Sequence, residues 1–452
     1  MTHWAKDAVF YHIYTLGFCG APERNDFGSA PVRRLEKVYE WIDHMQHLGV
    51  DAVYLGPVFE STAHGYDTAD YFWVDRRLGD NDTLRDLVAE LHSRGMRVIL
   101  DGVFNHVGRD FWAFRDLREK GQESPYRDWF RGLRFDHRSP YGDPFAYEGW
   151  EGHYDLVRLD LSNPAVRAHL FQAVGMWMNE FGIDGLRLDV AYLLDHEFLG
   201  ALAMFCRERR PDFWLVGEVL RGDYRQWANP ETLDSVTNYE CYKGLYSSHV
   251  DRNYFEIAYA LNRQFGDSGL YRGMSLYNFA DNHDVNRVAS NLTRREHLYP
   301  LYCLLFTMPG VPSIYYGSEW GIEGKRAPGD DSALRPSLDL PSLSQIDSHR
   351  DLASFVARLA RIRHDLPALR HGSYRQLHVS SEQLAYARET PDQLVLVAVN
   401  AADRPATLEL KVPEHVRGVT DVLNPSDSFE AHGGLVRVET VPPNWGRILV
   451  AE

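Results

Sequence analysis

The sequence predicts an α/β protein: a (β/α)8 barrel with a subdomain inserted after the third strand and a C-terminal antiparallel β-sandwich domain. Three observations carry this. Strand-like and helix-like segments alternate over about the first 360 residues of a 452-residue chain. The alternation is broken once, by about fifty residues between the third strand and the next helix, too long for a plain loop. Beyond about residue 366 the helical patterns give way to short alternating strands such as "LVLVAVNAA" and "ATLELKV". The expected division is 1–106 and 156–366 for the barrel, 107–155 for the insert and 367–452 for the sandwich.

Taken in order, the strand candidates are residues 8–15, 51–58, 97–104, 185–191, 213–220, 235–240, 274–282 and 311–317. Helical periodicity lies between them over 31–49, 83–95 and 163–182, the last opening on Asn-Pro and closing at a glycine. A doubly wound open sheet is the alternative, but it usually has fewer repeats and no reason to stop at eight. In the fourth strand, "GIDGLRLDVA" (182–191), Leu186, Leu188 and Val190 alternate with Arg187 and Asp189. One face is therefore apolar and the other charged. A charged face turned into an enclosed space is held there for function; turned to solvent it is unremarkable.

Composition narrows the partners. A formal charge of −16 argues against nucleic acid and anionic membrane, which repel an acidic surface. Aromatic residues, 13% of the chain, supply cores and interfaces and also flat platforms suited to sugar rings. Cys19, Cys206, Cys241 and Cys303 show no metal-ligand spacing, and Cys206 and Cys303 fall in apolar helical stretches. The N-terminus lacks a signal-peptide pattern and no stretch reaches the ~18 apolar residues of a membrane span, so a cytoplasmic protein is expected.

Functional residues of such a barrel gather at the carboxyl ends of its strands. Strand three ends in "DGVFNH" with Asp101, Asn105 and His106, strand four carries Arg187 and Asp189, strand five ends in "VGEVL" with Glu218, and strand seven in "FADNHD" with Asp281, Asn282, His283 and Asp284. Singly these are a polar turn, an edge strand and a loop cap. Together they bring Asp189, Glu218 and Asp284 to one mouth, where crowded carboxylates raise one another's pKa and one can stay protonated. A proton donor beside an ionised carboxylate is what glycosidic bond cleavage requires.

These four motifs, with "GVDAVYLGPVF" and "GVPSIYYGSEWG" on strands two and eight, resemble the motifs of the α-amylase family of glycoside hydrolases (family 13), in order and over essentially the whole chain. The resemblance implies a TIM barrel and a retaining mechanism. It makes Asp189 the nucleophile, Glu218 the general acid/base and Asp284 the stabiliser of the distorted sugar. Arg187 would orient and ionise the nucleophile, His106 and His283 would hydrogen-bond the sugar before the cleaved bond, and Tyr66 would stack on it. Asp331 and Arg335 resemble a pair that binds the next sugar; an exposed loop ion pair is the alternative.

The insert and "GYDTADYF" resemble the cyclomaltodextrinase/neopullulanase branch. The oligo-1,6-glucosidase branch would have a serine-containing continuation where "VG" stands and an acid at Ala63. The expected activity is cleavage of small linear, branched or cyclic α-glucan oligosaccharides to maltose or glucose. An α-glucan transglycosylase or α-glucosidase of the same family is the alternative, and an inactive binding relative is disfavoured because all three carboxylates are kept. Two departures stand out. The chain starts almost directly at the first barrel strand, without the branch's extra N-terminal domain, so a homodimer would have to be built differently. Leu220 replaces a tryptophan common two residues past the acid/base. No cofactor is expected. Calcium-dependent members continue the nucleophile motif with Lys-His, where Tyr192 and Leu193 stand here, although Asn105 could still ligate an ion.

Overall fold

In the computed structural model, residues 3–343 and 351–452 are described. Eight parallel strands form one sheet: β1 (Phe10–Ile13), β2 (Ala52–Leu55), β3 (Arg97–Gly102), β4 (Gly185–Leu188), β5 (Trp214–Gly217), β6 (Ser235–Val236), β7 (Tyr277–Phe279) and β8 (Val311–Tyr315). Their spatial order is β7-β8-β1-β2-β3-β4-β5-β6. The ends meet through a parallel bridge between Thr237 and Tyr277, and the Asn238 N–H donates to the Tyr277 carbonyl at 2.9 Å. The sheet is thereby a closed (β/α)8 barrel, as the alternation predicts.

The two faces of the strands separate as a period of two requires. Val53, Leu55, Val98, Leu100, Leu186, Leu188 and Leu215 point outward into the main apolar core beneath the helices. Phe10, Ala52, Tyr54, Ile99, Trp214, Val216, Tyr277 and Phe279 form a separate apolar plug within the barrel. One or two residues further along the inward rows stand His12, Asp101 and Arg187, all buried. The interior thus turns from apolar to charged on the way to the carboxyl ends.

Three local expectations are corrected. The strands are shorter than their sequence patterns: β6 is only Ser235–Val236 of the 235–240 stretch. The helix expected over 31–49 is α-helical only from Ile42 to Leu48. Before it, Arg34–Trp41 is a 3₁₀ helix, because the fully buried residues there, Leu35, Val38 and Trp41, recur every three residues, the period of that helix. The helix over 163–182 is α-helical over Pro164–Met176 and widens to a π turn over Trp177–Phe181. That turn seats Trp177, which stacks on Phe59 at 4.1 Å and donates its indole N–H to the Tyr71 carbonyl at 2.8 Å.

Between β3 and β4 a small antiparallel sheet of His106–Gly108, Gly149–Trp150 and His153–Arg158 stands over the carboxyl end of the barrel. The C-terminal part is an eight-stranded antiparallel sheet from Ser373–Val379 to Trp445–Ala451. It encloses its own core, in which Leu396, Ala398 and Leu449 lie with Leu408, Leu410, Val436 and Val438. Gly446 sets its approach to the barrel: a Cβ there would stand 2.7 Å from the Cys303 Sγ of helix Leu298–Thr307. All four cysteines are free and buried. Among the described residues no helix is long and apolar enough to cross a membrane.

Candidate active site

Arg187 is the centre of the barrel mouth. Its side chain, 4% exposed, bonds three carboxylates with two nitrogens: Nη1 donates to Asp189 Oδ1 (2.8 Å) and Asp101 Oδ1 (2.9 Å), and Nη2 meets Glu218 Oε2 (3.0 Å). The charged face of strand four therefore looks into the barrel. Asp101 was legible as a strand-end acid but not as the third member of this clamp. It also accepts from the Tyr54 hydroxyl (2.6 Å) and the Tyr66 hydroxyl (2.9 Å), so three donors hold it in place.

Strand β4 ends at Leu188, and Val190 does not continue the outward apolar stripe as its alternation suggests. It lies in the left-handed region at φ +39°, a conformation that costs a β-branched residue of order 1–3 kcal/mol. The turn aims the Val190 N–H at Glu218 Oε2 (2.9 Å). Glu218 is thus held by a guanidinium and a peptide N–H on one oxygen, while Oε1 has only the Tyr239 hydroxyl at 3.4 Å.

Asp284 sits at the rim, its side chain 35% exposed. Oδ2 meets His283 Nε2 (2.9 Å) and Oδ1 meets Arg335 Nη2 (3.1 Å). Burial raises its carboxyl, but the His283 imidazole, Arg335 and Arg187 outweigh that and hold it well below the usual carboxylate range. Asp189 behaves oppositely. Burial, with the charges of Glu218, Asp101 and Asp284, pushes its carboxyl well up against the pull of Arg187. The pull of Arg187, expected to orient and ionise this nucleophile, is opposed by burial and by the neighbouring carboxylates. Asp101, Asp189 and Glu218 crowd around the one guanidinium of Arg187, with Asp284 at the rim.

Tyr66 is buried. With its hydroxyl donating to Asp101, its oxygen is left to accept from His283 Nε2 at 2.5 Å, and its ring lies 10° from the His283 plane. Gly108 lets this loop come close: a Cβ there would fall 2.4 Å from the Asp67 carbonyl oxygen. His106 Nε2 stands 3.9 Å from Asp189 Oδ2. His106 Nε2, His283 Nδ1 and His12 Nε2 are buried without a hydrogen-bond partner, three polar atoms waiting at one site. Burial pushes the His106 imidazole down to about 3, so it meets a ligand as a neutral ring. His12, which stacks on Tyr54 at 4.1 Å and meets His283 edge-on at 5.2 Å, carried no signal in the sequence beyond its inward parity on β1.

Asp331 and Arg335 pair at 3.3 Å, yet they are not an exposed loop pair. Arg335 is 14% exposed, lies over the Tyr14 ring at 4.6 Å and donates to the His283 carbonyl at 3.0 Å, so it joins the rim to Asp284. Asp281 and Asn282 serve the fold: Asp281 accepts the Val288 N–H (2.7 Å) and the Ser318 hydroxyl (2.8 Å), and Asn282 Oδ1 accepts the Asp284 N–H (2.9 Å). On the other side the inserted sheet brings Trp150 within 5.7 Å of His106, and Glu151 receives the Tyr192 hydroxyl at 3.3 Å.

Asn105 stands beside the mouth, at the start of the insert. Its side-chain nitrogen is engaged by His106 Nδ1 at 3.1 Å. The adjoining cleft of about 400 Å³ is lined by Glu148, Asp160 and Asp195 as well as by Arg131 and Arg158, and Arg158 Nη1 meets Glu148 Oε2 at 3.3 Å. Among the described residues no group of three or more His, Cys, Asp or Glu is placed to hold a metal ion.

Residues 33–353 match the model of the α-amylase catalytic domain. The chain is 34% identical to a cyclomaltodextrinase of a Bacillus species, over 88% of this chain and 73% of that protein. It is 34% identical to neopullulanase 2 of Thermoactinomyces vulgaris, over 99% of this chain and 78% of that one. A cyclic α-maltosyl-(1→6)-maltose hydrolase from Arthrobacter globiformis has a similar structure, with a TM-score of 0.82 at 27% identity, covering 100% of this chain and 99% of that chain.

Proposed function

This chain belongs to the α-amylase family of glycoside hydrolases, and from that premise we propose that it is a retaining α-glycosidase of small linear, branched or cyclic α-glucan oligosaccharides, releasing maltose or glucose. The observation that carries the reading is the Arg187 clamp, which holds the Asp189 and Glu218 carboxylates on two nitrogens of one guanidinium. Retaining glycosidases hold their two carboxyl groups about 5–5.5 Å apart, and a guanidinium shared by Asp189 and Glu218 draws the two toward each other.

Asp189 Oδ1 is tied to Arg187, whereas Oδ2 has only His106 Nε2 nearby, at 3.9 Å. Oδ2 is the attacking atom. It bonds to the anomeric carbon as the glycosidic C–O bond breaks, and Glu218, as the general acid, gives a proton to the departing oxygen. Glu218 then takes a proton from water, which displaces Asp189 and restores both groups. Asp284, held ionised by His283 and Arg335, faces the positive charge that develops on the sugar ring. The unpartnered nitrogens of His106 and His283 bind sugar hydroxyls, Tyr66 offers its face to the ring, and the Arg335–Asp331 pair reaches the next sugar.

Two features support small substrates: the inserted hairpin walls one side of the mouth through Trp150 and Glu151, and relatives named for compact glucans resemble the whole chain. Oligosaccharides already imported are met in the cytoplasm, where cell fractionation should find the enzyme. The reaction needs no metal ion; a strong chelator should leave both rate and Tm unchanged, and a loss restored by calcium would overturn that. The substrate reading is tested by kcat/KM on maltotriose, panose and β-cyclodextrin against soluble starch, per reducing end formed. At least a tenfold preference for one of the small substrates is expected. Equal or better efficiency on starch would mean an open cleft and an endo-acting enzyme.

A further inference from the structure

At the opposite end of the barrel from the carboxylates, a cleft of about 420 Å³ opens between the segments entering β7 and β8 and the start of the C-terminal sheet. Its volume lies in the range of small-molecule pockets. Lys6, Arg272, Arg370, His371 and Arg388 line it, and no aspartate or glutamate does. Such a wall runs against the overall charge of −16.

Part of that positive charge is neutralised. Asp7 Oδ1 takes both Arg370 Nη1 and His371 Nε2, each at 2.7 Å. The rest is not. Lys6 has no ion pair among the described residues, and Arg272 spends one N–H on the Asp267 carbonyl at 3.2 Å. Arg388 forms the floor, 1% exposed, bonded only to carbonyls: Thr307 (2.6 Å), Leu369 and Gly372 (2.9 Å each) and Ser373 (3.3 Å). Behind it Arg363, 0% exposed, is bonded to the Phe306, Leu369 and Gly310 carbonyls. Burial lowers Arg363 to about 9, and the cations of Arg388 and Arg370 add to the effect. Two guanidinium groups without a carboxylate, set in low dielectric, project a positive potential into the cleft above them.

We propose that this cleft binds a small phosphate-bearing anion, with Lys6 and Arg272 contacting the phosphate oxygens and the buried arginines supplying the field. The phosphate group is the shared chemistry, whether free or carried on a hexose. Phosphate oxygens form charge-assisted hydrogen bonds with ammonium and guanidinium donors, and Lys6 and Arg272 have donors to spare. Lys6 precedes β1 and Arg272 precedes β7, while Arg388 and Ser373 belong to the C-terminal sheet. A ligand held among them ties the two parts together and stabilises the folded chain.

The test is thermal melting of the full chain in sodium phosphate, glucose 1-phosphate, glucose 6-phosphate or glucose, each against sodium chloride at matched ionic strength. Wild type is compared with Lys6→Gln/Arg272→Gln. At least one phosphate-bearing ligand should raise the wild-type Tm in a saturable way, and glucose should not. In the double variant the half-saturating concentration should rise at least tenfold, with the melt in chloride and KM for maltotriose unchanged. If inorganic phosphate matches the hexose phosphates, the ligand is free phosphate; if only the esters act, it is a sugar phosphate. A response no larger than that to chloride, or one unaltered in a double variant that melts normally, overturns the proposal.

Discussion

Arginine is buried at both ends of this barrel, and the two ends treat it oppositely. At the carboxyl end Arg187 meets three carboxylates, and around it lie a strained Val190 and unpartnered nitrogens on His106, His283 and His12. At the other end Arg363 and Arg388 meet only carbonyl oxygens, which they tie between helix Leu298–Thr307, the segment entering β8 and the C-terminal sheet. The carbonyls carry no net charge, so they fix the guanidinium groups in place without cancelling their charge. The carboxylate cluster is over-charged, orphaned and strained, which is the condition of a site built to receive a developing positive charge rather than to hold a fold together.

That contrast can be broken at several points. The largest effect is expected at Asp189. Asp189→Asn keeps the shape and the Arg187 contact but removes the nucleophile, and kcat should fall by at least about 10⁴-fold with a cooperative unfolding transition retained. Retention of more than a few per cent of activity would mean that the clamp, and not this oxygen, does the chemistry. At the opposite end Arg388→Met removes the guanidinium from the carbonyls of Thr307, Gly372 and Ser373 and leaves Leu369 with Arg363 alone. A stability loss of about 3–5 kcal/mol in denaturant titration is expected, with kcat unchanged in the folded fraction. A fall in kcat without a fall in stability would show that the two ends are not separable.

The smallest effect sharpens the comparison most. The folded state raises the Asp189 carboxyl above its unfolded value of about 3.9, so folding is penalised once pH climbs above that value and not below it. Asp189→Asn should therefore melt higher than wild type near pH 7, by about 1–2 kcal/mol, with the gain gone by about pH 3.5. No gain at neutral pH would mean that Arg187 already compensates the carboxylate in full.

Much of this was legible in the sequence. Alternation gave the barrel, because β4 buries Leu186 and Leu188 on one side and Arg187 on the other. Strand ends gave the carboxylates, because a parallel barrel collects them at one mouth. What escaped has physical causes. The Val190 turn breaks a local rule that pattern reading assumes, and a valine gives no hint of a positive φ. Asp101 looks like any strand-end acid until the register with β4 places it opposite Arg187. The 3₁₀ stretch over Arg34–Trp41 shows only as a three-residue apolar period, which a helical window blurs. The basic cleft draws on residues 6, 272, 370, 371 and 388, and separations that long leave no motif.

The most direct test of the account is to trap the glycosyl-enzyme. A slow fluorinated maltosyl fluoride, incubated with wild type and followed by peptide mapping with mass spectrometry, should leave one sugar esterified to the peptide carrying Asp189, and none in Asp189→Asn. Labelling of a different carboxylate would contradict it, as would turnover of maltotriose whose first-formed product has the inverted anomeric configuration.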